Sequence, residues 1–309
     1  MELRELRYFQ TVALCGSYSR GSELLHISQP AVSRAIRQLE DELGKSLFER
    51  HSHGVKLTDA GQILLARSQV LLREVEQTKA EVQSGVTSPS GNIAFAITPA
   101  AGGVLVPALV EHFSAQYPNV FINVVGGFSA SIHEWLVRGY VDLACVHDPL
   151  PQRGFEITPL IGEEVFLVGK AGAAGLPKDY VRTEDLTSIP LILPSGENAS
   201  RRLLETWTAS LGITLNIKLE VNDHFIMRAL VRSGAGYTLV SRGAVDDNLE
   251  KYGLQAWPFR PKAYWPLTLV TCNKVPRTEI VNAFIDSIRT VTGRLCSEGK
   301  WVGMSLLKD

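Results

Sequence analysis

The chain has 309 residues, of which 45% are hydrophobic and 20% charged, and its formal net charge is −1 at pH 7. This is the composition of a globular protein long enough for two or three domains. No apolar run approaches the roughly 20 residues of a membrane span, and the N-terminal MELRELRYFQ has an amphipathic helical pattern unlike a signal peptide. We therefore expect a cytoplasmic protein without a membrane partner.

The four cysteines argue against a secreted or zinc-binding protein. Cys15, Cys145, Cys272 and Cys296 are widely separated, and no CxxC pair is present. We expect mostly buried, inert thiols. A redox sensor that uses Cys145 or Cys272 stays open as an alternative, although no nearby charge or resolving cysteine supports it.

Net charge gives no sign of a nucleic-acid partner. The first 90 residues contain 11 basic and 11 acidic side chains, so this segment is neutral as well. If it binds DNA, its cations must lie on one surface and its acids on another.

Apolar residues at helical spacing define two helices near the N-terminus. Leu3, Leu6 and Phe9 begin the first pattern, which stops at Gly16. A second short helix is predicted from about Ser19 to Leu25.

The stretch HISQPAVSRAIRQLEDEL predicts a third helix from Ser28 to Leu43, ended by Gly44. Ser28 is a good N-cap, and Pro30 is tolerated in the first turn because the amide that it lacks would have no intrahelical partner. The apolar side of this helix consists of Val32, Ala35, Ile36, Leu39 and Leu43. The polar side consists of Gln29, Ser33, Arg34 and Arg37. Such a polar side is often simply solvated, so the neighbouring segments must decide its role.

The next segments complete a small module and lead out of it. LFER and VKL are two short strand-like pieces around the polar turn HSHG. From Thr58, an N-cap candidate, a long helix is predicted to about Ser84, with apolar pairs one heptad apart that require a packing partner. SGVTSPSGN then reads as a linker.

The stretch GSYSRGSELLHISQPAVSRAIRQLEDELGKSLFERHSHGVKLTDAG resembles the winged helix-turn-helix of the LysR-type transcriptional regulators. That family has the same SQPAVS opening of the recognition helix, the same LFER strand and the same terminal L-T-x-A-G. The chain departs from the family pattern at Gly21 and Ser22, where two alanines are usual. We expect this glycine to cost the second helix up to about 1 kcal/mol.

The resemblance implies three parts. These are a winged helix-turn-helix DNA-binding domain at 1–58, a linker (dimerisation) helix and hinge at 59–90, and an effector-binding domain at 91–309. The last part is expected to be α/β, with two Rossmann-like subdomains resembling a type II periplasmic binding protein. Subdomain I would cover about 91–162 and 268–309, and subdomain II about 163–267.

The resemblance also implies which residues contact double-stranded DNA. Base-edge contacts are expected from the start of the recognition helix, at Gln29, Pro30, Ser33 and Arg34, and Ser28 before them is expected to contact DNA as well. Phosphate contacts are expected from Ser17, Arg37 and the wing residues Arg50 and Lys56. His51 and His53 lack a partner at metal-coordinating spacing, so we expect a polar wing tip, no metal site and no cofactor.

After the hinge, strand-like runs alternate with amphipathic helices, which predicts mainly parallel sheets covered on both faces. The runs are 93–97, 120–125, 142–146, 165–168, 191–193, 217–221, 237–240 and 267–270. In open α/β sheets, ligands bind beyond the carboxyl ends of strands, here in the cleft between the subdomains.

This rule and the resemblance select the candidate effector site. It comprises Thr98, Ala100, Phe128, Ser129, His147, Ser195, Asn198, Arg201, Asn222 and Phe225. Thr98 precedes a helix whose free amides suit an anion, so a carboxylate or an aromatic acid is the expected effector. Phe128 and Phe225 would add an apolar wall, and Arg201 a countercharge.

The sequence thus predicts a transcriptional regulator controlled by a small-molecule effector, acting as a homodimer or homotetramer, with RNA polymerase as a candidate partner. A ligand-independent or redox regulator is the alternative. A small-molecule-binding protein or a hydrolytic enzyme is remote, because no G-x-S-x-G elbow and no complete G-x-x-x-x-G-K-[ST] phosphate loop is present.

Overall fold

The computed structural model describes residues 1–51, 54–84, 90–172, 179–241, 243, 249–272, 277–301 and 303–305. At some of these positions, Arg50 among them, only the backbone is described. The chain divides into two compact units, one formed mainly by Met1–Asn92 and the other by Ile93–Leu136 and Val141–Asp309. In the described parts of the chain, no helix has the length and apolar character needed to cross a membrane.

The N-terminal unit contains four helices and a two-stranded antiparallel ribbon. The elements are α1 (Leu3–Cys15), α2 (Tyr18–Leu24), α3 (Gln29–Leu43), β1 (Phe48–His51), β2 (Gly54–Leu57) and α4 (Asp59–Ser84). Gly16 and Gly44 end α1 and α3 in the left-handed conformation, as expected for C-terminal glycines. The predicted order of helices and ribbon is confirmed.

A single apolar core joins these elements. Its buried residues come from α1, α3, the residue before β1 and α4: Leu6, Phe9, Val12, Val32, Ile36, Leu39, Leu47, Leu65 and Leu72. Gly21 lies against this core, where a Cβ would be 2.9 Å from Cγ2 of Val12. The glycine in the place of the usual alanine therefore fits the close packing of α2 on α1.

The L-T-x-A-G segment connects the ribbon to α4. Thr58 caps the helix, because its Oγ1 accepts a hydrogen bond from the amide of Gly61 at 3.0 Å and donates one to the carbonyl oxygen of Ser46 at 2.7 Å. A Cβ on Gly61 would overlap the carbonyl oxygen of Leu47. Only glycine allows the first turn of α4 to come this close to the strand β1.

The C-terminal unit alternates strands and helices for most of its length. Its strands are β3 (Gly91–Ile97), β4 (Val120–Gly126), β5 (Leu143–His147), β6 (Phe155–Lys170), β7 (Leu191–Leu193), β8 (Ile217–Glu220), β9 (Thr238–Ser241), β10 (Leu254–Pro258), β11 (Tyr264–Cys272) and β12 (Gly303–Ser305). Its helices are α5 (Pro99–Gln116), α6 (Ser129–Arg138), α7 (Ala199–Ala209), α8 (His224–Ser233) and α9 (Glu279–Ser297), with short 3-10 helices at Thr183–Thr187 and Glu250–Tyr252.

Two long strands, β6 and β11, organise the sheets. The larger sheet has the order β10-β6-β11-β5-β3-β4, and β9 and β12 also pair with β6. β3 and β5 are parallel, as are β7 and β8, whereas β6 pairs antiparallel with β9, β10, β11 and β12. The expectation of mainly parallel sheets was therefore wrong. The sheets are mixed, because β6 and β11 run antiparallel to each other and are shared by both halves of the unit.

Separate cores confirm that the C-terminal unit has two halves. In the first half, strands β3 and β5 pack against α5 and α9 around Phe95, Phe113 and Phe284. In the second half, the end of β6 packs with β7, α7 and β10 around Leu167, Leu204 and Trp257. These halves provide the two sides of the site described below.

Candidate functional site

The solvent side of α3 carries the polar residues predicted from the sequence. Ser28, Gln29, Arg34 and Arg37 are exposed, and Ser33 is half-buried. Val32, Ala35, Ile36 and Leu39 bury the opposite side. Ser28 occupies the N-cap position but its side chain forms no capping hydrogen bond, contrary to the expectation from its residue type. The helix therefore begins with an exposed Ser-Gln-Pro turn.

The neighbouring helix supports this turn. Ser17 caps α2 by accepting a 3.4 Å hydrogen bond from the amide of Arg20. Ser19 donates to Oε1 of Gln29 at 3.4 Å and so links the two helices at the exposed surface. Among the described residues, neither Arg34 nor Arg37 has an ion-pair partner. Both guanidinium groups are thus available to an external anion.

The ribbon lies beside the turn between α1 and α2. Val55 donates its amide to the carbonyl oxygen of Gly16 at 2.9 Å, and a Cβ on Gly54 would overlap that oxygen. Lys56 is exposed on β2, whereas the side chain of Arg50 is outside the described structure. His53 also lies outside the described residues, and no group of three metal-ligating side chains occurs within them.

A cleft lies between the two halves of the C-terminal unit and encloses about 610 Å³, including open solvent at its mouth. The first half contributes Thr98, Pro99, Ala100, Phe128, Ser129 and His147. The second half contributes Pro194, Asn198, Ala199, Ser200, His224, Met227, Leu239, Val240 and Ser241, and Trp265 of β11 completes the wall. The described lining contains no Lys, Arg, Asp or Glu.

The N-terminal turns of four helices border this cleft. They are those of α5, α6, α7 and α8, none of which carries an acidic residue in its first turn. A helix N-terminus presents free amides and a partial positive charge, but that of α8 is capped by Asp223, which accepts a hydrogen bond from the amide of Ile226 at 2.8 Å. The termini of α5 and α7 have no side-chain cap and can attract an anion without a cationic side chain in the described lining. Apolar surface from Phe128, Met227, Leu239 and Trp265 lies beside these termini.

Two hydroxyl groups in the cleft have no hydrogen-bond partner among the described residues. Thr98 precedes α5 and is 8% exposed, and Ser241 ends β9 and is 2% exposed. The side-chain oxygen of each is buried and unpaired. Such groups are rare in native proteins, because leaving a buried hydroxyl unpaired costs roughly 1–3 kcal/mol. A ligand that accepted their hydrogen bonds would remove this cost.

Six predicted residues lie together in the cleft: Thr98, Ala100, Phe128, Ser129, His147 and Asn198. Ser195 and Asn222 are not among the lining residues; Ser195 is half-buried and Asn222 is exposed. The amide of Ser195 donates to Oδ1 of Asn222 at 2.9 Å, and Nδ2 of Asn198 donates to the same oxygen at 3.1 Å. This network connects the start of α7 to the loop after β8, so Ser195 and Asn222 hold the lining residue Asn198 in place.

Arg201 and Phe225 do not belong to the cleft, and their predicted placement there was wrong. Arg201 is 7% exposed and donates to Glu205 at 2.7 Å, to Glu220 at 3.2 Å and to the carbonyl oxygen of Pro194 at 3.1 Å. Its charge is therefore already compensated. Phe225 is 82% exposed on α8 and forms no apolar wall.

The sequence analysis missed Ser241, His224 and Trp265. Ser241 was within reach of the rule that ligands bind beyond strand ends, because it follows directly after the predicted run 237–240. Burial and the nearby Arg228 lower the pKa of His224, and Asp223 partly offsets this effect. Trp265 could not be placed from the sequence, because its position depends on the pairing of β11 with β6.

Cys145 is not poised for redox chemistry. Cys145 is fully buried in β5, and burial together with the negative charge of Glu163 raises the pKa of its thiol. Because the thiolate is the reactive form, these surroundings suppress reaction with oxidants. The alternative of a redox sensor at Cys145 is thereby disfavoured.

Comparison with known proteins identifies both parts of the chain. Residues 3–62 match the model of the bacterial regulatory helix-turn-helix proteins of the lysR family, and residues 87–293 match the LysR substrate binding domain. The HTH-type transcriptional regulator BbuR of Bordetella bronchiseptica is 31% identical over 306 residues, which cover 96% of this chain and 92% of BbuR.

Solved structures show the same fold. A full-length variant of OxyR from Pseudomonas aeruginosa is 25% identical with a TM-score of 0.69, and the match covers 94% of this chain and 98% of OxyR. Full-length CbnR complexed with its target DNA is 22% identical with a TM-score of 0.70, covering 94% of this chain and all of CbnR. The matched relatives are named as transcriptional regulators and not as enzymes. With its helix-turn-helix unit followed by a ligand-type cleft, the chain belongs to the LysR family of DNA-binding transcriptional regulators.

Proposed function

We propose that this regulator responds to a small organic anion, a carboxylate or an aromatic acid, bound in the cleft of its C-terminal unit. The observation that carries the proposal is the buried, unpaired hydroxyl of Thr98 at the N-terminus of α5. A carboxylate there would accept hydrogen bonds from the hydroxyl and from free helix amides, and the helix dipole would favour its charge. The neighbouring apolar side chains suit a hydrocarbon or aromatic body.

For the DNA, we propose that α3 enters the major groove with its first turn. Gln29, Pro30, Ser33 and Arg34 would contact base edges, and Arg37 would contact phosphate together with Ser17, Ser28, Arg50 and Lys56. The exposure of Gln29, Arg34 and Arg37 and the absence of ion-pair partners for both arginines among the described residues support this assignment.

The assembly that we propose is a homodimer or homotetramer held together by α4. Apolar side chains on this helix are exposed in the single chain, namely Ile63 (66%), Leu71 and Val82. Pairing of two such helices would cover these side chains and place two recognition helices on two half-sites of one DNA duplex. RNA polymerase would then be a further partner at the promoter.

Control by the effector would operate through the angle between the two halves of the C-terminal unit. An effector that contacts both halves favours the arrangement in which both sets of contacts form. Its influence on DNA binding cannot exceed its differential affinity for the two arrangements. We therefore divide the chain functionally as 1–58, 59–90 and 91–309, with the cleft as the input site.

Thermal unfolding in the presence of small carboxylates and aromatic acids tests the proposal. A ligand at 100 times its Kd adds about 2.7 kcal/mol to the stability of the protein that binds it. We expect selective stabilisation of the wild-type chain and a 10- to 100-fold higher Kd for Thr98→Val, because a hydrogen bond to a charged group contributes about 1.5–3 kcal/mol.

Thr292→Val is the matched control, because Thr292 also has a buried, unpaired hydroxyl but lies in α9 outside the cleft lining. Both variants should be at least as stable as the wild type without ligand, and only Thr98→Val should bind the anion weakly. If no anion stabilises the protein, or if the two variants bind it equally well, the proposed site is wrong.

A further inference from the structure

Three buried polar side chains form a chain of hydrogen bonds beneath the cleft. Nε2 of His147 lies 2.7 Å from Oε2 of Glu163, and Nε1 of Trp301 donates to Oε1 of the same carboxylate at 2.9 Å. Glu163 is 0% exposed and Trp301 is 1% exposed. Of these three side chains, His147 is the one that lines the cleft.

The hydrogen bond to Glu163 favours one tautomer of the neutral imidazole of His147. A carboxylate only accepts hydrogen bonds, and the indole N–H of Trp301 can only donate. Nε2 of His147 must therefore carry a hydrogen in order to donate to Glu163. In the neutral ring, Nδ1 is then the hydrogen-bond acceptor. Among the described residues Nδ1 has no partner, so it remains for a ligand in the cleft.

The surrounding elements hold this ring in place. β12 pairs with β6 so that Gly303 stands opposite Glu163, which brings the C-terminal segment with Trp301 beneath the cleft. The ring of Trp265 lies edge-on to that of His147 with centroids 6.2 Å apart. Gly243 closes the other side, since a Cβ there would lie 3.1 Å from Oε1 of Glu163 and 2.9 Å from the carbonyl oxygen of Ala100.

The same contact at Gly243 shows that the His147–Glu163 pair is close to the start of α5. Thr98 follows β3, and His147 is the last residue of the neighbouring parallel strand β5; the amide of Thr98 donates to the carbonyl oxygen of Cys145 at 3.2 Å. A small ligand can therefore contact the α5 terminus and His147 at once. The N-terminus of α5 favours an anion. Nδ1 of His147 offers a hydrogen-bond acceptor on a ring that is itself hydrogen-bonded to the buried Glu163.

We infer that His147 is the specificity-determining residue of the cleft and selects carboxylates that also carry a hydroxyl group. The carboxylate would bind at the N-terminus of α5, and the hydroxyl would donate its hydrogen to Nδ1 of His147. A second carboxylate would be disfavoured, because it would meet the lone pair of Nδ1 and the charge of Glu163. Glu163 and Trp301 act as positioning residues. The inference rests on the proposed anion site at Thr98.

The test compares matched acids by calorimetry. The probes are benzoate with its three hydroxy and three fluoro derivatives, butanoate with its 2-, 3- and 4-hydroxy derivatives, and butanedioate. We expect at least one hydroxy acid to bind 5-fold or more tightly than its parent acid, and a hydroxybenzoate to exceed the fluorobenzoate of equal substitution. In His147→Phe this preference should vanish, so that each hydroxy acid binds within 2-fold of its own parent acid.

His147→Phe leaves a buried carboxylate with one partner fewer, so a second variant guards against loss of folding. In His147→Phe/Glu163→Gln the buried charge at position 163 is removed, and the glutamine oxygen still accepts from Trp301. We expect the same loss of hydroxyl preference in this double variant. A hydroxyl preference that survives in it would overturn the inference, as would tighter binding of butanedioate than of any hydroxy acid.

Nitrogen-15 NMR of His147 tests the positioning role directly. The wild type should show the Nε2–H tautomer. In Glu163→Gln the amide donates to Nε2 instead, and the hydrogen should move to Nδ1. Trp301→Phe should leave the tautomer unchanged but broaden the resonance through ring mobility. An Nδ1–H tautomer in the wild type would overturn the inference.

Failure of the two proposals can be told apart. If no acid binds in a manner sensitive to Thr98→Val, the anion site itself is wrong. If acids bind with that sensitivity but hydroxyl groups bring no advantage, only the role of His147 is wrong.

Discussion

Arg34 and Arg37 are one helical turn apart on the exposed side of α3, yet we assign them different roles. Arg34 is nearer the N-terminal turn that enters the groove, where a bidentate contact to guanine is geometrically accessible. Arg37 lies further along the helix, where the phosphate backbone is the nearer partner. Both arginines are exposed, so exposure does not distinguish the two roles. The effect of each substitution on the preference for one DNA sequence over another does distinguish them.

Arg34→Ala should reduce discrimination between a selected DNA site and a scrambled duplex by roughly 5- to 100-fold, which corresponds to about 1–3 kcal/mol. Arg37→Ala should instead weaken binding to both duplexes. It should also reduce the slope of log K against log salt concentration by about 1, the value for one phosphate contact. Fluorescence anisotropy at several salt concentrations measures both quantities, with a site selected from random DNA by the wild-type protein. Full discrimination in Arg34→Ala would contradict the base-contact assignment.

At the same scale, the cleft shows which side-chain roles a sequence reveals. Thr98 was identifiable because it lies between a strand and a helix-starting proline. Arg201 was misplaced as a countercharge, although Glu205 stands four residues later on the same helix and is an obvious partner. Its second partner, Glu220, depends on the neighbouring strand and could not be inferred from local spacing.

At the scale of elements, predictions were best where the signal is local. All four N-terminal helices and the ribbon follow from periodicity, caps and turn residues. The pairing of β6 with β11 does not, because it joins segments about 100 residues apart and is antiparallel in a chain whose alternating pattern favours parallel sheets. β10 and β12 were missed for a related reason. They are short strands whose pairing with β6 defines them more than their own sequence does.

The close approach of α4 to the strand β1 gives a prediction at this scale. Gly61→Ala should lower the free energy of unfolding by about 2–3 kcal/mol, because its Cβ would overlap a backbone oxygen that cannot move independently. Gly293→Ala in α9 is the matched substitution in open space, and it should raise stability by about 0.5–1 kcal/mol. Urea denaturation with hydrogen-exchange mass spectrometry assigns each effect to its unit. If the two substitutions change the free energy of unfolding equally, helix propensity and not the contact with Leu47 determines the stability effect at position 61.

At the scale of the whole molecule, regulation requires the halves of the C-terminal unit to have more than one arrangement. Among the described residues, an ion pair between Arg202 and Asp148 connects the two halves. Arg202 of α7 donates from Nη2 to Oδ2 of Asp148 at 3.0 Å and to the carbonyl oxygen of Asp148 at 2.9 Å, which connects the second half to the end of β5 in the first. Asp148 has a φ of +40°, a left-handed conformation that is uncommon outside glycine and asparagine. This contact is therefore a candidate for the element that effector binding strengthens.

Breaking the pair should weaken effector binding without touching the cleft lining. Arg202→Gln and Asp148→Asn should each raise the Kd of the anion about 2- to 5-fold, because a half-exposed ion pair contributes at most about 1 kcal/mol and the effector must then supply that energy on closure. Asparagine tolerates the left-handed backbone, so Asp148→Asn removes the charge while the turn is kept.

Calorimetry on both single variants and the double variant completes a double-mutant cycle. If the two residues act only through their ion pair, the double variant should bind the anion no more weakly than the weaker single variant. The ratio of the variant Kd to the wild-type Kd should also decrease as salt is added. Additive effects would mean that the two residues influence the cleft separately, and that the arrangement of the halves is set elsewhere.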